Sequence, residues 1–235
     1  MTRKPVIIML TAALLMSVAA WGQSLPKFKF GEPTMEELKM TTYDKDSSAA
    51  AVVLLNLRDV GFRLNGGEIT EVTTNRFRIK ILKDAGKDYA NVDHVLYNSQ
   101  GSQGHEKIFG IKAVAVNLEN GKVVKTKMKS DMIFTEKLDE YHDRVKFTIP
   151  QAKVGSVIEY EYNVSSDLYY QMDDWNAQQP IPVVHARYTS IIPEWLLFRY
   201  ELRGPGLLQP ILGDGLVERR DVIQTTSKNY VYVGN

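Results

Sequence analysis

Four histidines, His94, His105, His142 and His185, are the side chains through which this chain could most readily ligate a metal or exchange a proton near neutral pH. No two of them stand three to five residues apart. Neither a His-x-His pair nor a His-Glu-x-x-His run occurs, so no zinc-type ligand set is spelled out. His185 falls between Val184 and Ala186, on the polar side of an alternating segment. All four are read as structural or surface histidines.

Nucleophiles fare no better. Cysteine is absent, which removes thiolate catalysis, cysteine metal sites and disulfides together. A Gly-x-Ser-x-Gly elbow is missing, and Gly101-Ser102-Gln103-Gly104 has the composition of a flexible loop. Gly204-Pro205-Gly206 lacks the third glycine and the following helix that would cradle a phosphate. Asp44, Asp46 and Ser48 have the alternating oxygens of a calcium loop. Ala49 replaces its turn glycine, however, and Leu55 its closing glutamate. Asp214, between Gly213 and Gly215, reads as a turn residue. The expectation is a non-enzyme with no catalytic residue, no metal and no cofactor.

The best surface candidate is Tyr169-Tyr170-Gln171-Met172-Asp173-Asp174-Trp175. Flat aromatic faces beside carboxylates are what a sugar or peptide platform uses, which makes Tyr169, Tyr170, Asp173, Asp174 and Trp175 the candidate contact residues. The same composition suits a loop packed on a sheet edge with Trp175 as its anchor, and packing is the stronger reading for that tryptophan. Lys122, Lys125, Lys127 and Lys129 form a basic run, read as the solvated face of an edge strand guarded against aggregation. With 29 basic and 28 acidic residues the net charge is +1, which argues against nucleic acid as a partner.

The elements that must position these residues are mostly strands. Residues 1–22 read as a signal peptide: Arg3 and Lys4, an apolar run from Val6 to Val18, then Ala20-Trp21-Gly22 before a cut at Gln23. That predicts an exported protein, periplasmic or secreted. It would have no membrane span after cleavage and, lacking a cysteine, no lipid anchor. Residues 23–44 form a lead-in in which Thr34 and Glu37 match a capping box and Met35 to Met40 a short helix.

From residue 45 to 235 strand signals dominate. Asn65-Gly66-Gly67 joins Ala49–Leu64 to Glu68–Leu82, and Glu119-Asn120-Gly121 joins Glu106–Leu118 to Lys122–Lys129. Phe77, Ile79 and Ile81 alternate with Arg76, Arg78 and Lys80, the pattern of a sheet with one wet face. Ile158, Tyr160, Tyr162 and Val164 alternate with Glu159 and Glu161, which puts both carboxylates outside the core. Val184, Ala186, Tyr188 and Ile192 continue the rule, as do Leu196, Phe198, Tyr200 and Leu202, with further strands near Leu216–Gln224 and Asn229–Val233. Asp84 to Tyr97 suggests a helical turn or short helix, and 130–143 an irregular charged stretch. The fold class predicted is all-β, an antiparallel β-sandwich with a short N-terminal helix and one or two small helical turns.

Three blocks, Phe147-Thr148-Ile149-Pro150, Gly155-Ser156-Val157-Ile158-Glu159-Tyr160 and Trp175 through Pro182-Val183, resemble a known family. It is the domain of unknown function that precedes transglutaminase-like cores in exported bacterial proteins. Ala50 to Leu55 before a long hairpin, and Gly121 opening a strand, are similar as well; the likeness covers roughly residues 45 to 205. The resemblance implies a non-catalytic accessory module, usually followed by a papain-like core with a Cys/His/Asp triad. With no cysteine here, no triad residue carries over. The expected role is scaffolding or interaction, with a downstream transglutaminase-like domain or protein as partner. The chain is then either the N-terminal part of a longer protein or a stand-alone relative without the core. The alternative is a carbohydrate- or peptide-binding module using Tyr169, Tyr170 and Trp175.

Overall fold

The computed structural model describes residues 28–101, 104–193, 195–199, 201–203, 211–214, 218–226 and 232–234, with side chains up to residue 201. Residues 1–22, read from sequence as a signal peptide, and Gly204-Pro205-Gly206 lie outside the described residues.

The fold is all-β and sandwich-like, with one short α-helix among the described residues. Two long strands, β1 (Ala51–Asn65) and β2 (Glu68–Ile81), form its central hairpin. The turn is Gly66-Gly67, both at positive φ, where a residue with a Cβ would be strained. Around the hairpin are β3 (Asn91–Tyr97), β4 (Glu106–Glu119), β5 (Lys122–Lys127), β6 (Ile133–Lys137), β7 (His142–Thr148), β8 (Val157–Ser166), β9 (Trp175–Asn176) and β10 (Val183–Pro193). The chain continues through β11 (Glu201–Arg203), β12 (Ile211–Asp214), β13 (Glu218–Thr226) and β14 (Tyr232–Gly234). An eight-stranded sheet runs β12-β13-β10-β1-β2-β8-β4-β5, and two three-stranded sheets run β3-β7-β6 and β11-β14-β9.

Several expectations change here. Among the described residues the pairing is antiparallel except for β1 with β10, which is parallel. A parallel neighbour needs a long connection, and more than a hundred residues of other strands supply it. Asp84 to Tyr97 divides into a 3-10 turn (Asp84–Ala90) and strand β3, while the irregular stretch 130–143 contains β6. In the segment of Leu196, Phe198, Tyr200 and Leu202, residues 195–199 are not strand and only Glu201–Arg203 is. Asp214 ends β12 rather than sitting in a turn.

One face of the large sheet packs on β3-β7-β6. Ile79, Ile81, Ile158, Tyr160 and Tyr162 meet Leu96, Val145, Phe147 and Ile149 there, and Phe77 stacks on its cross-strand partner Tyr160 at 5.0 Å. Farther along that face a second cluster gathers Val60, Trp175, Ala177, Ala186 and Tyr188.

The opposite face was expected to be wet, and around Arg78, Lys80 and Glu159 it is not. The lead-in from Phe28 to Met40 lies over it. Helix α1 (Met35–Lys39) carries the predicted capping box: Thr34 Oγ1 accepts from the Glu37 N–H at 3.1 Å, and Glu37 Oε2 from the Thr34 N–H at 2.6 Å. Leu38 packs with Val52, Leu54, Val114, Val116 and Val157. Beneath this strap Lys80 and Glu159 have no exposed surface, correcting the outward placement of Glu159. Lys80 Nζ donates to the carbonyls of Leu38 and Gly155 at 2.8 and 2.6 Å. The Gly31 N–H donates to Glu159 Oε2 at 2.8 Å, at a positive φ that suits glycine. Arg78 pairs with Glu159 at 2.9 Å and Glu37 at 2.9 Å, while Phe28 stacks against its guanidinium at 5.1 Å. Each of the charges buried beneath the strap therefore has an ion-pair or hydrogen-bond partner, as burial demands.

Beyond the strap the same face carries an alternating ladder across five strands. Arg187 meets Asp59 at 3.4 Å, Asp59 meets Arg76 at 2.7 Å, and Glu161 takes Arg76 at 2.7 Å and Lys112 at 2.8 Å. Glu161 is thus a half-buried structural ion. The lysines of β5 and the following loop stand exposed on an edge strand, as their spacing predicts.

Candidate functional site

The inner face of β2 changes character along its length. Phe77, Ile79 and Ile81 are followed, at the same parity, by Asn75, Thr73 and Glu71. Period two therefore carries the apolar core directly into a polar chamber. Arg58 of β1, Ser166 of β8 and Glu106 of β4 complete its floor, and His94 of β3 forms one wall. Gln171 and Asp173, from the loop between β8 and β9, form the other. The enclosed space is ≈ 10 Å³, room for about one water.

The chamber is held by directed bonds. Thr73 Oγ1 donates to Glu71 Oε1 at 2.8 Å, and the Tyr97 N–H donates to Glu106 Oε2 at 2.8 Å. Arg58 Nε donates to Asn75 Oδ1 at 2.9 Å and its Nη1 to the Asp174 carbonyl at 3.2 Å. Asp167, at the start of the loop, accepts the N–H groups of Gly104 and His105 on Oδ1, both at 2.8 Å.

Burial dominates its electrostatics. It pushes the Glu71 carboxyl up to about 7, with Asp173 and Glu106 adding to the rise and Thr73 and Arg58 opposing it. Glu106 is raised for the same first reason, desolvation. The His94 imidazole is pushed down by burial and then by Arg58, so it is neutral at pH 7. The site can hold and release a proton. Among the described residues no three His, Asp or Glu side chains are arranged to hold a metal ion.

Of the five predicted contact residues only Asp173 lines the chamber, and of the four histidines weighed from sequence only His94 does. Tyr169 and Tyr170 meet edge-to-face at 5.6 Å on the outside of the loop, and Tyr170 is 59 % exposed. Asp174 is exposed, and its carbonyl anchors Arg58. Trp175 is 3 % exposed and packs on Tyr188 at 5.6 Å, so its ring is part of the core and not a stacking platform. His105 and His142 lie beside Asp167 and Asp139 at 3.4 and 2.8 Å, and His185 stands half-buried on β10. Glu71, Glu106, Arg58 and His94 were not assembled by sequence reasoning. The one available signal was a glutamate at core parity on β2.

A family profile described as "Domain of Unknown Function with solved-structure structure (DUF3857)" matches residues 69–212, more than half of the chain. The chain belongs to the DUF3857 family. The match runs from β2 into β12, so every chamber residue of this DUF3857 chain except Arg58 lies inside it. Among solved structures it is similar to the crystal structure of a "putative protease" from Parabacteroides distasonis, with a TM-score of 0.62 and 11 % identity. The likeness covers 79 % of this chain and 40 % of that one, and at such identity it speaks for the fold alone. No curated protein matches.

Proposed function

We propose that this DUF3857 chain is an exported, non-catalytic β-sandwich module that positions a neighbouring catalytic domain or protein, of the transglutaminase-like or protease kind. The observation that carries this reading is the proportion of the structural match. The shared fold accounts for 40 % of a chain described as a "putative protease", leaving most of that protein to other elements. The buried ion pairs and the strap supply the rigidity a positioning element needs. The experiment is to express the chain alone and joined to whatever coding sequence follows Asn235, and to assay both on protein substrates. Turnover only in the joined form supports the reading, whereas turnover by the chain alone overturns it. Export is checked by N-terminal sequencing of protein from the native cell envelope, where a start at Gln23 is expected.

A second reading, glycan or peptide binding, is favoured by one feature: the exposed Tyr170 set against Tyr169 beside Asp173 and Asp174. It must work without Trp175. Loss of array binding in Tyr170→Ala would support it, and no binding by the parent chain would end it.

A further inference from the structure

The chamber gathers more negative charge than it can balance. Glu71 (β2), Glu106 (β4) and Asp173 (loop) face one guanidinium, Arg58 (β1), while the neutral His94 comes from β3. Fully ionised, these groups would carry three negative charges against one positive charge around a space the size of one water. Arg58 is already bonded to Asn75 and to the Asp174 carbonyl. Glu106 has a main-chain N–H to stabilise its charge, whereas Glu71, 7 % exposed, receives the Thr73 hydroxyl. Glu71 is therefore the group best placed to keep a proton.

The geometry also says where repulsion would act. Glu71 and Glu106 are fixed on β2 and β4, which both pair with β8 in the large sheet, whereas the exposed Asp173 sits on the loop between β8 and β9, where Met172 packs against the Val60–Trp175 cluster. Asp167 holds that loop to Gly104 and His105, and Arg58 holds the Asp174 carbonyl. Moving the loop relieves the charge without breaking a sheet ladder.

We propose that Glu71 operates a proton-controlled clasp: protonated, it lets loop 167–174 close over the chamber, and ionised, it loosens that loop. The exposed Tyr170 and the half-buried Tyr169 would thereby be presented differently in acidic and in alkaline surroundings. Glu71's rise to about 7 puts the change near neutrality. The sign follows from linkage. The folded state keeps a proton that the unfolded chain has lost above 4.5, so stability contributed by this group falls as pH rises from 4.5 through about 7. The proposal stands whether or not the module positions a catalytic partner.

Hydrogen exchange of residues 167–174, corrected for intrinsic rates, tests it at about pH 5.5 and about pH 8.5. The parent chain should exchange about tenfold faster there at the higher pH, while Glu71→Gln should hold the low-pH rate at both. An equal pH response in the variant, or none in the parent, would overturn the clasp. Carboxyl NMR of the parent chain provides a check that needs no variant to fold. A Glu71 midpoint near 7 agrees with the proposal, and one at 4.5 sinks it.

Discussion

Arg78 and Glu159 face each other in the register of β2 and β8, and their side chains meet at 2.9 Å under the N-terminal strap. The contact is an ion pair by distance, without the alignment of a directed hydrogen bond between Arg78 Nε and Glu159 Oε1. Removing one partner leaves the other charge buried. Glu159→Ala should therefore cost about 3–5 kcal/mol in denaturant unfolding, since it also strips the Gly31 N–H of its acceptor. A cost below about 1 kcal/mol would mean that the strap does not seal this pair.

Lys80 should give stability an alkaline dependence. Burial pushes its ammonium down from 10.5 to about 8, so between those values the unfolded chain binds more protons than the folded one. Stability contributed by this group thus rises with pH across that window, by at most on the order of 3 kcal/mol. Lys80→Met should flatten the rise in unfolding curves measured from about pH 7.5 to about pH 10.5. Unchanged curvature in the variant would remove Lys80 as its source.

Trp175 and Tyr170 stand close in sequence and should behave oppositely. Trp175→Ala empties a core position against Tyr188, for a loss of about 3–5 kcal/mol in thermal or chemical unfolding. Tyr170→Ala removes an exposed ring and should stay within about 0.5 kcal/mol. Equal costs for the two would contradict the placement of the loop.

Gly86, in the 3-10 turn, has no room for a Cβ. The added atom would lie 2.2 Å from the Ala50 carbonyl oxygen, which already accepts from the Leu82 and Lys83 N–H groups. Gly86→Ala should cost about 3 kcal/mol or more. Gly61, on β1 with nothing within 4 Å of an added Cβ, provides the control: Gly61→Ala should be neutral to stabilising, by up to about 1 kcal/mol. Chemical denaturation of both variants makes the comparison.

The hairpins, the capping box and the inward set of β8 were legible because each depends on near neighbours. Asn120-Gly121 and Gly66-Gly67 adopt the positive φ that two-residue hairpin turns need. The Thr34–Glu37 box closes over three residues. The candidate site was legible only in part: Asp173 was singled out with the aromatic loop and His94 among the histidines, while Glu71, Glu106 and Arg58 come from three strands spread over positions 58 to 106.

Sequence alone determined which side chains share a face, since alternation along a strand follows from backbone geometry. It could not say whether a face is covered. Glu159 lies opposite Ile158 and Tyr160 in parity and was read as a surface carboxylate, yet Gly31, 128 positions away, seals it from water. The buried Lys80 and the proton-holding chamber have the same origin. Burial depends on what packs on top, and the covering segments arrive from remote parts of the chain. Only the assembled layers decide which charges lose their water, and with it which carboxyl keeps a proton near neutral pH.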